Sequence, residues 1–293
     1  MSSQNLNDTF VVTGASGYIG KKVTSELKAR GYRVIGIDFR DTDINIDLSR
    51  KSLDNNLKIQ EPIRLIHLAS PLPGNEKAVK LFEIGELINT NIINSLDVVD
   101  VLFMSSTAVY SRSPNVQSNL PEVAPWEIYG NMKLAGEVKL SENFQNLTIF
   151  RSGTIYDQNR KGGIANLINR LLAKKITPLP NSGKVHHPFV HSSNVIESIV
   201  LWAENGTHEE RIIDLVPPSI QDLATTIQTL IDSNKHIINI SPNVLKLIGS
   251  ERHPIMGISK WHFGALSYDL PQFLKNSYNK NFKSTSETLK STN

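Results

Sequence analysis

The run Thr13-Gly14-Ala15-Ser16-Gly17-Tyr18-Ile19-Gly20 follows the apolar stretch Phe10-Val11-Val12 and leads into Lys21-Lys22-Val23-Thr24-Ser25-Glu26-Leu27. That order reads as a strand, a tight glycine turn and the start of a helix. Gly14 can take the turn's backbone angles, Gly17 lets the chain approach a phosphate closely, and Gly20 lets the helix pack on the strand. Backbone N–H groups and the helix dipole then face a pyrophosphate, which makes Gly14, Gly17, Tyr18, Ile19 and Gly20 candidate cofactor contacts. A glycine pattern of this kind also occurs in ordinary strand–helix turns. Here the next strand, Tyr32-Arg33-Val34-Ile35-Gly36-Ile37, ends in Asp38, where a dinucleotide site needs a carboxylate for the adenosine ribose hydroxyls. Spacing and context together specify a nucleotide-cofactor site.

Asp38 also bears on which cofactor is held. Its charge accepts hydrogen bonds from a free ribose diol and repels a 2′-phosphate, so NAD is favoured over NADP. Arg40, two residues on, would offset that repulsion, or is simply a solvated loop charge.

At 293 residues the chain can bury a large core, as one big domain or a large and a small one. Net charge is +3 with no dense Lys/Arg block, which argues against nucleic acid as a partner. The absence of cysteine excludes disulfides, thiol nucleophiles and cysteine metal sites, and fits a reducing compartment. The first eight residues have neither a basic nor an apolar targeting region, and no apolar run is long enough to span a bilayer. The expectation is a soluble cytoplasmic protein that is not a membrane partner.

Apolar strand-like runs alternate with helical stretches through the first two thirds. Arg64–Ala69, Val98–Met104, Leu147–Phe150 and Arg211–Val216 read as strands, while 77–96, 129–144 and 194–204 carry helical periodicity. Short continuous apolar strands separated by helices predict an α/β fold with a parallel sheet covered on both faces. After Pro217-Pro218 the pattern loosens, and the polar segment 276–293 has little to bury and is expected to be a mobile tail.

Tyr129-Gly130-Asn131-Met132-Lys133 puts Tyr and Lys at i and i+4 on one helical face. A tyrosine with a pKa near 10 is a poor base at neutral pH, and an adjacent ammonium favours the phenolate. Such a pair can take a proton from an alcohol or return one to a carbonyl. A plain surface Tyr–Lys pair has the same spacing. Upstream, Ser105-Ser106-Thr107 closes a strand with consecutive hydroxyls, at the sheet end that faces the ligand crevice. A hydroxyl there can stabilise developing charge on a substrate oxygen, or it caps the next loop.

With these features in this order, the chain resembles the extended short-chain dehydrogenase/reductases, the NAD-dependent epimerase/dehydratase family, over residues 9–216. TGxxGxxG stands as Thr13–Gly20, SSxxVY as Ser105–Tyr110, and YxxxK as Tyr129–Lys133. The resemblance implies that Ser106 is the catalytic hydroxyl, Tyr129 the acid/base, and Lys133 the group that lowers its pKa and binds the nicotinamide ribose. It further implies cofactor contacts at Asp47 and Leu48, at Leu68-Ala69-Ser70 in an HLAA-like strand end, at Asn91 in a degraded NVxGT, and at Gly153. Thr107, Thr154 and His187 are the implied substrate contacts beside Ser106. The implied architecture is a doubly wound parallel Rossmann sheet with a smaller, discontinuous C-terminal substrate domain. Residues 1–154 and 188–216 would form the NAD-binding part, with 155–187 and 217–275 forming the substrate part. Helices near 77–96 and 129–144 would pair across a two-fold axis in a homodimer.

Departures from the pattern narrow the chemistry. The arginine that clamps a nucleotide-sugar diphosphate in the family is His187 here, and a largely neutral imidazole lacks the bidentate fork. Either Lys184 or Arg160 holds the diphosphate, or the substrate has none. The Asp-Glu pair that family dehydratases carry after the hydroxyl is Thr107-Ala108, which disfavours dehydration. His186, His187 and His191 do not form a metal site, because Pro188 interrupts any common face and no nearby acid or thiol completes a ligand set. The reading is an NAD-dependent oxidoreductase on a secondary alcohol or ketone of a sugar, as a nucleotide-sugar epimerase or 4-ketoreductase. The alternatives are a dehydrogenase of a small non-nucleotide polyol or ketone, and a non-catalytic NAD-binding regulatory module.

Overall fold

Runs of four to seven residues dominated by Val, Ile, Leu and Phe are too short for a stable helix and become strands that are buried on both faces. β1 (Thr9–Thr13), β4 (Ile63–His67) and β6 (Leu147–Ser152) are buried at every position. The computed structural model describes residues 8–53, 59, 62–71, 78–110, 123–125, 128–157, 176–180, 189–206, 211–215 and 236–240.

In chain order, β1 is followed by α1 (Tyr18–Ala29), β2 (Arg33–Asp38), the two-residue β3 (Ile44–Asn45) and β4. Then come α2 (Ala78–Ile93), β5 (Asp100–Ser106), a single 3-10 turn (Thr107–Val109), α3 (Ile128–Asn143) and β6. β7 (Thr154–Tyr156), β8 (Ile176–Pro180), β9 (Phe189–His191), α4 (Ser192–Asn205), β10 (Ile212–Leu215) and β11 (His236–Ile240) complete the described elements.

Seven strands form one sheet in the order β10-β6-β5-β4-β1-β2-β3. β1 pairs in parallel with β2 and with β4, β2 with β3, β4 with β5, and β5 with β6. The chain therefore starts at the centre, winds to one edge through β2 and β3, and returns to wind outward through β4, β5 and β6. This is a doubly wound Rossmann sheet, and its direction of winding reverses between β1 and β4. Ligands of open α/β sheets bind beyond the carboxyl ends of strands at that switch point, where the glycine turn and Leu68-Ala69-Ser70 both lie.

The sheet's two faces are covered by different helices. Val11, Leu65, Val101, Phe103 and Ile149 pack with Ile88 and Ile92 of α2 and Leu140 of α3. On the other face, Trp202 of α4 donates its indole N–H to Thr148 at 3.1 Å. Arg30 at the end of α1 pairs with Glu197 and Glu204 of α4, so α1 and α4 share that layer.

Observed strand and helix positions follow the apolar pattern with informative offsets. β5 begins at Asp100 and continues through the two serines, rather than running 98–104, because Ser105 and Ser106 pair with Arg151 and Ser152 of β6. The two-residue β3 has no apolar run of its own and exists only by pairing with β2.

Two compact units result, one of Met1–Tyr110, Val123–Ser152 and Val195–Asp214, the other of Ser111–Glu122, Gly153–Asn194 and Leu215–Asn293. In the second, β7 pairs in parallel with β9, β8 pairs in parallel with β11, and the buried carboxylate of Asp157 accepts from the Ser192 hydroxyl at the start of α4. The segment 276–293 lies outside the described residues.

One buried cation anchors the α4 face to the sheet. Arg64 of β4 lies over the rings of Phe10 and Trp202 at 4.9 and 4.7 Å, and donates to Asp100 at 3.0 Å. It also donates to the carbonyls of Trp202 and Ala203, which end α4 and carry the negative end of its dipole. Removing one partner of a buried ion pair strands the other, at about 3–5 kcal/mol. Arg64→Ala is expected to lower unfolding free energy by that amount in a urea titration followed by circular dichroism.

Candidate active site

The glycine turn is built by close approach. Gly14 has φ +70°, and a Cβ there would meet Ala69 N at 2.8 Å and Leu68 C at 2.9 Å. The turn after β1 therefore lies directly against the turn after β4, which no side chain larger than hydrogen permits. Gly20 packs on the turn itself rather than on the strand: a Cβ would stand 2.1 Å from the Gly14 carbonyl oxygen. Gly17 is the N-cap of α1 with no side-chain cap, and no acidic residue occupies the first helical turn. Tyr18 and Ile19 open that helix, and both are partly exposed. An uncapped helix start fronted by glycine fits an anion such as a pyrophosphate.

Asp38 ends β2 with a half-buried carboxylate that accepts from Ser16 N at 3.0 Å, Ser16 Oγ at 2.7 Å and Phe39 N at 2.8 Å. The acid expected to meet the ribose is thus also the brace of the glycine turn. Ser16 is a residue the sequence reading does not single out, although its place inside TGxxGxxG is the available signal. Arg40 is exposed and stacks on the exposed ring of Phe39 at 4.9 Å.

The other cofactor candidates divide between surface and support. Asp47 is exposed and accepts from Ser49 N at 3.0 Å and from its Oγ. Leu48 is buried in the core, and its carbonyl accepts from Asn91 Nδ2 at 2.8 Å. Asn91 Oδ1 accepts from Ser52 at 2.9 Å, so its amide braces the 48–52 segment from α2. Ala69 donates its N–H to Thr13 Oγ1 at 3.2 Å, and Ser70 follows on the rim.

Beneath that rim lies a buried relay the sequence does not disclose. His67 Nε2 faces Asn89 Oδ1 at 3.0 Å and Nδ1 faces Thr13 Oγ1 at 2.6 Å. An amide oxygen only accepts, so the network assigns the proton to Nε2 and leaves Nδ1 to accept from Thr13. Burial pushes the imidazole down to about 4, and it is neutral.

Ser106 ends β5 and caps the 3-10 turn, its Oγ accepting from Ala108 N at 3.2 Å. A hydroxyl that accepts there keeps its own proton to donate, so capping and catalysis are compatible. Thr107 is buried. α3 begins against this same turn, because a Cβ on Gly130 would stand 2.1 Å from the Ala108 carbonyl oxygen. Gly130 thereby sets Tyr129 and Lys133 against the turn that Ser106 starts, a positioning role the sequence reading misses.

Lys133 is buried, donating to the Met104 carbonyl at 2.8 Å with its ammonium 5.0 Å from the Phe103 ring and 6.0 Å from the Tyr129 ring. Burial pushes its pKa down to about 7, with Glu137 one turn further along α3 acting in the opposite direction. Glu137 accepts from Arg151 Nε at 3.0 Å and Nη2 at 2.6 Å, and from the Ser105 hydroxyl. Arg151 also donates to the Tyr110 hydroxyl at 2.9 Å, which in turn donates to Asp214 at 2.7 Å. Burial raises the Asp214 carboxyl to about 6. The i, i+4, i+8 spacing of Tyr129, Lys133 and Glu137 is the unread signal for this network.

In the second unit, Gly153 separates β6 from β7 and donates its N–H to the Leu215 carbonyl at 3.0 Å, and Thr154 opens β7. His191 Nδ1 accepts from Ser193 N at 3.2 Å. His186, His187, Lys184 and Arg160 lie outside the described residues. Among the described residues no group of three His, Asp or Glu side chains is placed to hold a metal, and no helix is long and apolar enough to cross a membrane.

Residues 10–214 match a family described as the NAD dependent epimerase/dehydratase family. A putative UDP-glucose 4-epimerase of Methanocaldococcus jannaschii is 25% identical over 257 residues, covering 78% of this chain and 82% of that protein. A human epimerase family protein crystallised with NADPH superposes with a TM-score of 0.71 at 16% identity, covering 97% of this chain and 98% of that one. The UDP-glucose 4-epimerase of Thermus thermophilus, in complex with NAD, gives 0.66 at 17% identity, covering 96% of each chain. At these identities the structural likeness is one of fold.

The buried lysine has a testable cost. Its folded pKa lies below its unfolded value, so the penalty is full below about pH 7 and is relieved as pH rises toward 10.5. Lys133→Met, apolar and of similar length, is expected to stabilise the fold at pH 7 by about 1–4 kcal/mol. Thermal unfolding across pH should show that gain shrinking as alkalinity increases.

Proposed function

The chain belongs to the NAD-dependent epimerase/dehydratase family, and from that premise we propose an NAD-dependent oxidoreductase acting on a secondary alcohol or ketone of a sugar, as a nucleotide-sugar epimerase. The observation that carries this reading is the Gly130 contact, which sets the Tyr129 end of α3 against the turn started by Ser106. A strand-end hydroxyl and a helix-borne phenol over a buried ammonium form a proton-handling unit.

The glycine turn, the uncapped start of α1 and Asp38 are the residues that would hold the cofactor. Bound there, the nicotinamide supplies the hydride acceptor and donor. Tyr129 takes the proton of the substrate hydroxyl and later returns it. Lys133, while charged, stabilises the phenolate that forms when the proton is held elsewhere. Ser106 donates its hydroxyl proton to the substrate oxygen as negative charge develops, a contact that water would otherwise screen. NAD over NADP follows from the Asp38 carboxylate, which would repel a 2′-phosphate.

Epimerisation over dehydration is supported by Ala108, whose methyl cannot move a proton where dehydratases carry an acid. An epimerase retains its cofactor between half-reactions, whereas a ketoreductase exchanges it, and net consumption of NADH by a keto-sugar would favour the reductase. A homodimer is proposed through α2 and α3, where Phe82, Leu134, Ala135 and the exposed Val138 line a groove and Leu87 of α2 is also exposed. Light scattering should give twice the chain mass, and Val138→Asp should give the monomer; a strict monomer at micromolar concentration removes the dimer.

Tyr129→Phe tests the chemistry. The variant should bind NADH as the parent does, more tightly than NADPH, while turnover falls by about two to four orders of magnitude. Retention of most activity on an identified nucleotide sugar would show that Tyr129 is not the acid/base.

A further inference from the structure

Lys133 is buried beneath Tyr129 with no carboxylate in direct contact among the described residues. Its surroundings come from four elements. On α3 it has Tyr129 one turn before and Glu137 one turn after. From β5 come the Met104 carbonyl and the Phe103 ring. β4 contributes His67, which is neutral, and β6 contributes Arg151 on the far side of Glu137. Glu137 is itself buried, and both of its oxygens are held by Arg151, with Ser105 adding a further donor. The pair is therefore a fixed dipole, negative end borne on the same helix as the ammonium and positive end borne on the sheet.

We propose that Glu137 is a positioning residue for Lys133: clamped by Arg151 and Ser105, it keeps one negative charge a helical turn from the ammonium and so keeps that ammonium charged inside the fold. The reasoning is electrostatic. A buried amine loses its proton unless a nearby charge offsets part of the lost hydration. An unclamped carboxylate would rotate toward the lysine as a contact pair or toward water. Held by two strands, it acts from a fixed place and leaves the ammonium's remaining donors unspent. Arg151 limits the effect from the opposite side, since its own charge repels the ammonium.

This rests on the reading of Tyr129 and Lys133 as a proton-transfer pair, yet its test does not require turnover. In the full chain with lysine labelled at ¹³Cε, the Lys133 resonance is assigned by its loss in Lys133→Met and titrated without cofactor. Glu137→Gln should lower the midpoint by about one pH unit or more, because the carboxylate is gone and Arg151 is left uncompensated. Arg151→Met should raise it, because the carboxylate is no longer shared. A merely structural clamp predicts otherwise for Glu137→Gln, which would loosen packing, admit water and move the lysine upward toward its ordinary value, so the opposite signs of the two variants carry the test. An unchanged or raised midpoint in Glu137→Gln overturns the proposal.

Should either single variant fail to fold, the near-isosteric double variant Glu137→Gln/Arg151→Met removes the dipole without stranding a charge. Its midpoint should then fall below that of the parent, and an unchanged value overturns the proposal. A Glu137→Gln midpoint that shifts as expected, in a protein inactive on every sugar tried, would leave the positioning role standing and remove the enzymatic reading instead.

Discussion

A lysine amine enclosed between α3 and the sheet is the constraint around which the candidate site is arranged. Burying an ammonium costs several kcal/mol unless its surroundings replace the lost water. Lys133 meets a backbone carbonyl at 2.8 Å and an aromatic face at 5.0 Å, with a clamped carboxylate one turn away. Each of these comes from an element whose place is fixed by something else. Met104 lies in β5, held in register between β4 and β6, and Glu137 is tied to β6 by Arg151. The same arginine reaches Tyr110, which binds Asp214. A disturbance anywhere along that chain would be felt at the lysine, because a buried network has no water to fill in for a lost partner.

The cofactor side depends on a different kind of constraint, the absence of side chains. Gly14, Gly20 and Gly130 each sit where a methyl group would overlap backbone by a large fraction of an ångström or more. The first two bring the turns after β1 and β4 and the start of α1 together at the switch point of the sheet. The third brings α3 onto the turn capped by Ser106. Helix and strand geometry alone would not make these contacts. They follow from hydrogen standing in place of carbon at three positions.

Much of this is legible in the sequence because the signals are local. The glycine turn, the strand-ending Asp38 and the Tyr129–Lys133 spacing lie within single elements, where periodicity and turn chemistry report directly on geometry. Two readings of one residue are joined by the structure: Ser106 is both a cap and a hydroxyl at the strand end. What is not legible depends on pairings between distant elements. Nothing local to Asp38 announces that Ser16 will occupy its carboxylate, nor that Asn91 will turn its amide to Leu48 and Ser52. Glu137 and Arg151 are fourteen positions apart on a helix and a strand, and only the packing of α3 on the sheet brings them face to face. β3 escapes a reading of the sequence for the same reason, being defined by its neighbour rather than by its own residues.

Hydride exchange between a nicotinamide and a sugar carbon is the work proposed here for Ser106, Tyr129 and Lys133. It is tested most directly by mixing the purified chain with NAD and a panel of UDP- and dTDP-sugars, each deuterated at the carbon bearing the reacting hydroxyl. The label passes to the nicotinamide and returns to the same carbon from the same ring face. At least one sugar should therefore be inverted there with its deuterium retained, read by NMR and mass spectrometry of the sugar, and only with the cofactor bound. Firm binding of both cofactor and sugar, with neither inversion at the labelled carbon nor any reduced-nicotinamide absorbance, would contradict it.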